Sequence, residues 1–334
     1  SPAMEKVDLI VRNARQLVTC STRGKPKRLG EMRDVGLIAD GALAAKNEKI
    51  VAVGKSAEVL RDFVAETTID AGGKVVCPAF VDPHTHIVFA GDRLDEFELK
   101  IKGADYLEIL TAGGGIISTV EKTRAASFEE LVAAARRRLD KMLAGGTATA
   151  EIKTGYGLNT ETELKMLGAI FKLNKTHAVE TVPTLLAAHA VPPEFKGRED
   201  DYVELICSET LPFAMRLYNL EKFGFDEEKL KSEAVAEGAG MGAVGFFGLP
   251  QSEWISINQN NPFFIDVFCE KNAFNLEQSR KILEAGKRCG MKIKAHVDEF
   301  TNLGGARMAI EIGATSIDHL DATSVEEIKL LAES

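Results

Sequence analysis

Two histidines separated by one residue stand in the run Asp82-Pro83-His84-Thr85-His86, directly after an apolar segment. Residues two apart in an extended chain project to the same side, so both imidazoles can bind one ion at Zn–N distances of about 2.0–2.1 Å. The alternative is a pair of ordinary loop histidines, because an HxH pattern also arises by chance. The position at the end of a predicted strand favours metal binding.

A third histidine, His296, ends another apolar segment, and Asp298 and Glu299 follow it. Three imidazoles would form a ligand set that leaves a position open for water, as catalytic zinc sites require. Glu299 would then act beside that water as a general base or proton shuttle. The alternative for Asp298 and Glu299 is a solvated surface pair. The pattern as a whole predicts metal-dependent hydrolysis.

Two further histidines end predicted strands, His319 in Ser-Ile-Asp-His and His189 in Ala-Ala-His. His319 is a candidate fourth ligand, or a group that hydrogen-bonds to the substrate or to the attacking water. His189 is a further candidate site residue, and the alternative is a hydrogen-bonded histidine of the core. His177, near the end of a predicted helix, is expected to be structural or exposed.

From Val75 onward apolar strands alternate with amphipathic helices, which predicts βα units and a parallel sheet. The predicted strands are 75–81, 147–153, 180–188, 264–268, 292–296 and 315–319, and the main predicted helices are 127–144, 160–175, 276–289 and 303–312. Ser127 and Glu130 form a capping-box pattern. This is the α/β class, a (β/α) TIM-type barrel whose catalytic groups come from the carboxyl ends of the strands. Six strands are countable, so the barrel is expected to be incomplete in this chain.

Two other regions differ from the βα pattern. Residues 4–74 consist of short β segments between turns, which predicts a small β-sandwich domain before the barrel domain at 75–334. Residues 212–262 form a possible insertion, since they separate two strand units by more than a usual connection. The glycine-rich run 238–248 within it lacks the ending of a phosphate-binding loop. A lid or a surface loop is therefore expected there.

The overall charge and cysteine usage exclude several classes of protein. A formal net charge of −9 argues against nucleic acid or an anionic membrane as a partner. The five cysteines contain no CxxC pair, so neither a disulfide framework nor a cysteine zinc site is indicated, and the cytoplasm is the expected compartment. No apolar run approaches the length of a membrane span, and no signal peptide opens the chain. Ser1-Pro2-Ala3 before Met4 is interpreted as an expression remnant.

A set of ordered motifs is far more specific than the HxH pattern alone. They are CPAFVDPHTHIVFAGDR, YLEILTAGGGI, EIKTGYGLNTETELKML, VPTLLAAHAVPPEF, FIDVFCEKNAF, AHVDE and IDHL. Together they resemble the imidazolonepropionase family of the amidohydrolase superfamily, over residues 5–211 and 263–334. The resemblance implies hydrolysis of the ring amide of 4-imidazolone-5-propanoate to N-formimidoylglutamate in histidine degradation. It also implies one zinc or iron ion per chain and a possible homodimer.

The resemblance also implies a role for each matching residue. The metal ligands would be His84, His86 and His296; Glu299 would activate water and His319 would be the second catalytic group; Arg93, Tyr106, Tyr156 and His189 would hold the substrate. An arginine suits the propionate tail because its guanidinium offers a bidentate fork to a carboxylate. A surface ion pair with Asp92 or Glu96 is the alternative for Arg93. The family's single-metal site implies that Lys153 is not a carboxylated lysine bridging two ions.

The sequence departs from the family pattern in two places. The family carries a further metal-ligating aspartate on a late strand, and no matching segment occurs in this sequence up to Ser334. Residues 212–262 have no counterpart in the family's motifs. Without that aspartate, the chain ending at Ser334 is expected to hold metal less tightly. Two alternatives therefore stay open: another cyclic amidohydrolase or deaminase, and a truncated, inactive metal-binding scaffold. Zinc and iron cannot be distinguished, since three imidazoles suit both.

Overall fold

The computed structural model describes residues 4–22, 24–103, 115–223 and 262–334. The chain divides into two compact units, Ser1–Ala79 and Phe80–Ser334. Tyr106 and residues 224–261 of the predicted insertion lie outside the described residues. Among the described helices, none is long and apolar enough to cross a membrane.

The N-terminal unit is built on one mixed sheet. Its elements are β1 (Glu5–Val18), β2 (Leu37–Lys46), β3 (Lys49–Lys55), α1 (Ser56–Asp62), β4 (Phe63–Asp70) and β5 (Val75–Val76). The strand order is β3-β2-β1-β4, with β5 also paired to β1. β1 is one long strand, with a shift in its pairing register to β2 between Val11 and Ala14. A second layer of the predicted sandwich is not among the described residues.

The C-terminal unit contains a six-stranded sheet in the order β11-β10-β9-β8-β7-β6. The strands are β6 (Phe80–Thr85), β7 (Thr147–Lys153), β8 (Glu180–Ala188), β9 (Phe264–Cys269), β10 (Lys292–Val297) and β11 (Ser316–His319). Every neighbouring pair is parallel. Sequential parallel strands joined through helices are the arrangement of a (β/α) barrel, which confirms the predicted fold class.

The described α-helices of this unit include the four that the sequence predicts and five others. They are α2 (Leu94–Ile101), α3 (Ile116–Ala125), α4 (Phe128–Ala144), α5 (Thr160–Thr176), α6 (Glu199–Leu205), α7 (Leu211–Phe223), α8 (Leu276–Arg288), α9 (Gly305–Ile312) and α10 (Val325–Glu333). The predicted capping box at the start of α4 is confirmed: Ser127 Oγ accepts from the Glu130 N–H at 3.2 Å, and Glu130 Oε2 accepts from the Ser127 N–H at 2.8 Å. Both contacts satisfy donors that the first turn leaves free.

The predicted strand 75–81 is wrong in its bounds. Val75 and Val76 pair with β1 in the N-terminal sheet, whereas β6 begins at Phe80. Pro78 separates the two segments, and a proline cannot donate the backbone hydrogen bond that would continue a strand ladder. β6 extends through His84 to Thr85, and His86 follows the strand directly.

Close packing of α8 on β9 gives a test of this fold. A Cβ added at Gly286 would lie 2.5 Å from Cγ2 and 2.8 Å from Cβ of Ile265. We expect Gly286→Ala to lower the free energy of unfolding by about 1–3 kcal/mol, measured by denaturant titration, because an overpacked core must shift. Gly168→Ala in α5 is the matched control, since the nearest atom there is Phe128 Cε2 at 3.4 Å. That exchange should be neutral or slightly stabilising, and equal effects at both sites would contradict the packing.

Candidate metal centre

The carboxyl ends of the parallel strands bring five histidines together. His84 lies in β6 with His86 just after it, His189 follows β8, His296 lies in β10 and His319 ends β11. The ring centroids of His84 and His296 are 4.5 Å apart, those of His86 and His189 are 4.9 Å apart, and those of His296 and His319 are 5.1 Å apart. Parallel strands present their carboxyl ends at one face, so residues distant in sequence meet there.

Three of these imidazoles point their Nε2 atoms at a common position. Nε2 of His86 lies 3.2 Å from Nε2 of His84 and 3.4 Å from Nε2 of His296. The ligand atoms of all three lie within 4.8 Å of one another. In a tetrahedral zinc site with bonds of about 2.0–2.1 Å, ligand nitrogens are about 3.4 Å apart. The arrangement therefore fits a single metal ion.

The protonation state of His86 suits a metal ligand. Burial lowers its pKa well below the ordinary value, and the neighbouring rings of His189, His296 and His84 lower it further. A neutral imidazole has a free lone pair, and this is the form that binds a metal ion. Burial and the neighbouring histidines together thus keep the lone pair of His86 available at neutral pH.

Two carboxylates lie behind the ligand histidines. Oδ2 of Asp266 is 2.9 Å from Nδ1 of His296, and Oδ2 of Asp318 is 3.2 Å from Nδ1 of His84. Both are close ion contacts and not aligned hydrogen bonds, and each favours the tautomer with the proton on Nδ1, which leaves Nε2 to face the ion, the arrangement common around metal-bound histidines. Burial would raise the pKa of Asp266, but His296 and Lys153 outweigh it and hold the pKa well below its usual range.

Neither carboxylate was predicted from the sequence as part of the site. Asp266 stands inside the apolar strand Phe-Ile-Asp-Val-Phe, and Asp318 directly precedes His319. A charged residue that interrupts a buried parallel strand was the available signal, since burying an unpaired carboxylate is costly.

His189 lies beside the ligand histidines as a neutral group. Its Nδ1 is 3.0 Å from the carbonyl oxygen of Gly155, which can only accept, so the proton sits on Nδ1 and Nε2 is an acceptor. Burial lowers the pKa of His189 to about 3. Gly155 has φ +105°, and a Cβ there would lie 2.9 Å from His189 Nδ1, so the close approach requires glycine.

Glu299 and His319 form a pair next to the metal ligands. Oε2 of Glu299 lies 3.6 Å from Nε2 of His319. Burial lowers the pKa of His319, although the charge of Glu299 opposes this shift. His319 has φ 78°, a conformation that is strained for a residue other than glycine and that is often found at functional sites.

A cavity of about 390 Å³ is bordered by Phe89, Arg93, Arg138 and Tyr156. Nε of Arg93 donates to Oγ1 of Thr119 at 2.9 Å, whereas its distance to Glu96 Oε1 is 3.9 Å. Glu96 therefore does not make a close bidentate pair with Arg93. Burial raises the pKa of Tyr156, so its hydroxyl stays protonated and can donate. The cavity thus offers two arginines and a neutral donor to a small anionic group, with one acidic residue, Asp92, also in its lining.

His177 lies apart from these groups, with Nε2 at 3.0 Å from Asp140 Oδ1 and Nδ1 accepting from the Val179 N–H at 3.0 Å. Both contacts suit the structural role that the sequence predicts for it.

The orienting role of Asp266 is testable by metal binding. We expect Asp266→Asn to weaken zinc affinity about 10- to 100-fold in competition with a chromophoric chelator, because an amide holds the His296 proton less well. Asp140→Asn is the matched control, since Asp140 contacts His177 and none of the three ligands. Affinity equal to that of the unaltered protein in the Asp266 variant would contradict the role.

Comparison with known proteins shows which family the chain belongs to. No protein-family model matches the chain. The chain is 47% identical over 331 residues to the imidazolonepropionase of Chloroflexus aggregans, covering 99% of this chain and 70% of that protein. It is 44% identical to the imidazolonepropionase of Herpetosiphon aurantiacus over 331 residues, covering 99% and 69%, and 37% identical to that of Clostridium tetani over 333 residues, also covering 99% and 69%.

Among solved structures, the 5-methylcytosine deaminase of Klebsiella pneumoniae superposes with a TM-score of 0.50 at 14% identity, over 91% of this chain and 56% of that one. At this identity the likeness supports the fold alone. The sequence relatives carry the family assignment, because they match along nearly the whole chain. The chain belongs to the imidazolonepropionase family.

Proposed function

We propose that this protein hydrolyses the ring amide of 4-imidazolone-5-propanoate to N-formimidoylglutamate, using the strand-end groups described above. The observation that carries the proposal is the convergence of three Nε2 atoms at 3.2 and 3.4 Å. Membership of the family indicates which reaction the protein catalyses, and the three converging nitrogens indicate where in the protein it can occur. Another cyclic amidohydrolase or a deaminase is not favoured, because the relatives at 37–47% identity are all named imidazolonepropionase.

His84, His86 and His296 would hold one ion per chain, either zinc or iron. When bound, a divalent ion supplies Lewis acidity that polarises the amide carbonyl and lowers the pKa of the attacking water. Asp266 and Asp318 keep Nε2 of His296 and of His84 directed at that position.

Proton transfer is assigned to Glu299. Its carboxylate takes a proton from the attacking water and, once protonated, returns it to the ring nitrogen as the carbon–nitrogen bond breaks. His319, 3.6 Å away, is largely neutral because burial lowers its pKa. It can donate a hydrogen bond to the oxygen on which negative charge develops. The two side chains thus divide proton transfer and charge stabilisation between them.

Substrate binding is assigned to groups around the cavity. Arg93 pairs with the propionate carboxylate, since its guanidinium borders the cavity and lacks a close carboxylate partner at Glu96. The protonated hydroxyl of Tyr156 donates, and Nε2 of His189 accepts from a ring N–H. Tyr106 is assigned to substrate binding on the family resemblance alone. A homodimer and a cytoplasmic location remain predictions of the sequence.

The role of Glu299 predicts a loss of turnover without a loss of binding. Glu299→Gln should lower kcat by about 10²- to 10⁴-fold in steady-state assays, with KM and bound metal nearly unchanged, because the amide cannot take the proton. Glu311→Gln, at an exposed carboxylate that pairs with Arg280, is the control and should keep full activity. An unchanged kcat for the Glu299 variant would rule out this role.

The role of Arg93 predicts a loss that depends on the substrate tail. Arg93→Ala should raise KM for imidazolonepropionate about 10- to 100-fold, since a hydrogen bond to a charged group contributes about 1.5–3 kcal/mol. An imidazolone analogue without the carboxylate should lose little between the two proteins. Equal losses for both substrates would show that Arg93 acts on the fold and not on the tail.

A further inference from the structure

Lys153 ends β7 beneath the ligand histidines and is fully buried. Its Nζ lies 2.8 Å from Oε1 of Glu151, 2.9 Å from Oδ2 of Asp266 and 3.8 Å from Oδ2 of Asp318. Burial alone would lower the pKa of Lys153, but Asp266 and Glu151 outweigh it and raise the pKa, so the side chain is an ammonium. The mechanism above gives this cation no role.

Two of these carboxylates connect Lys153 to ligand histidines. Oδ2 of Asp266, which contacts Nζ, is the same atom that lies 2.9 Å from Nδ1 of His296. Oδ2 of Asp318 likewise contacts both Nζ and Nδ1 of His84. The ammonium therefore hydrogen-bonds to the Asp266 oxygen beside His296 and makes a longer ion pair with the Asp318 oxygen beside His84.

The third carboxylate, Glu151, connects Lys153 to the backbone between His84 and His86. Oε2 of Glu151 accepts from the N–H of Thr85 at 3.4 Å, and the Glu151 carbonyl accepts from Thr85 Oγ1 at 2.6 Å. Thr85 stands between His84 and His86. All three metal ligands are thus one carboxylate, or one carboxylate and one peptide, away from the same ammonium.

Lys294 does not duplicate this position. Its Nζ lies 3.4 Å from Oδ2 of Asp318, and it donates to Ser316 Oγ at 2.6 Å and to the Pro83 carbonyl at 3.2 Å. No contact joins it to Asp266 or to Glu151 among the described residues. Only Lys153, within that part of the chain, is in contact with all three carboxylates.

We propose that Lys153 is a positioning residue: its ammonium holds Glu151, Asp266 and Asp318 so that His84, His86 and His296 keep the geometry that binds the metal. The inference rests on the metal site of the proposed function. The change in metal affinity expected from lost positioning is opposite in sign to the change expected from charge alone. Removing a buried cation makes the site more negative, which by Coulomb attraction alone would strengthen cation binding. Loss of positioning instead weakens it.

The experiment measures zinc affinity by chelator competition, and the visible absorption of the cobalt-substituted protein, for Lys153→Met. Methionine has a similar length and no charge. We expect affinity to fall about 10- to 100-fold, the usual effect of removing a group that orients metal ligands, and the cobalt bands to shift because the imidazoles move. Affinity and spectrum equal to those of the unaltered protein, or tighter binding, would overturn the proposal.

A second variant covers the case in which Lys153→Met fails to fold because buried carboxylates lose their partner. Glu151→Gln/Lys153→Met keeps the net charge of the unaltered protein but still leaves Asp266 and Asp318 without the ammonium. It should also bind zinc more weakly, and unchanged affinity there would overturn the proposal. Lys165→Met is the matched control, since Lys165 Nζ donates to the carbonyls of Arg124 and Ala126, away from the ligands. It should change stability and leave zinc affinity intact.

Measurements on the unaltered protein distinguish a failure of the positioning role from a failure of the proposed function. If it binds zinc and the Lys153 variants bind equally well, the positioning role fails while the proposed function stands. If the unaltered protein binds no zinc, and His86→Ala changes nothing, the metal site of the proposed function fails and the inference fails with it.

Discussion

Nε2 of His86 lies 3.2 Å from Nε2 of His84 and 3.4 Å from Nε2 of His296, and three imidazole nitrogens that converge at this spacing suit a bound cation. The barrel supplies the proximity, because parallel strands end at one face and carry His84 and His296 there. Burial lowers the pKa of His86, the neighbouring histidines lower it further, and the ring stays neutral. The fold, the protonation of His86 and the proposed metal site therefore depend on a single constraint, the convergence of strand ends.

A layer of charge lies beneath these rings. Asp266 is fully buried, yet it remains ionised because His296 and Lys153 hold its pKa down. Buried carboxylates are tolerated only when they are paired and hydrogen-bonded, and here their partners are the ligand histidines and one ammonium. The cost of burying this charge is offset by contacts that also orient the ligands, so structural stability and metal binding share the same residues.

Much of the barrel and part of the site were predictable from sequence. Each strand-end histidine could be recognised because an apolar strand precedes it. Side chains in an extended strand alternate in direction, so His84 and His86, two residues apart, lie on one side. The boundary of β6 was misplaced because the apolar run Val75–Val81 continues across Pro78, while pairing divides it between two sheets. The carboxylates behind the ligands were missed for a different reason. The contact of Lys153 with Asp266 joins residues 113 apart, and only the register of several strands brings them together.

The position of the bound ion is the sharpest test of the proposed metal site. Crystals of the purified protein, measured at the zinc and iron absorption edges, would give an anomalous difference map that identifies the ion and its position. We expect one peak per chain at about 2.0–2.1 Å from Nε2 of His84, His86 and His296. A peak at other ligands, two peaks at the strand ends, or no peak in protein that hydrolyses imidazolonepropionate would contradict the proposed site.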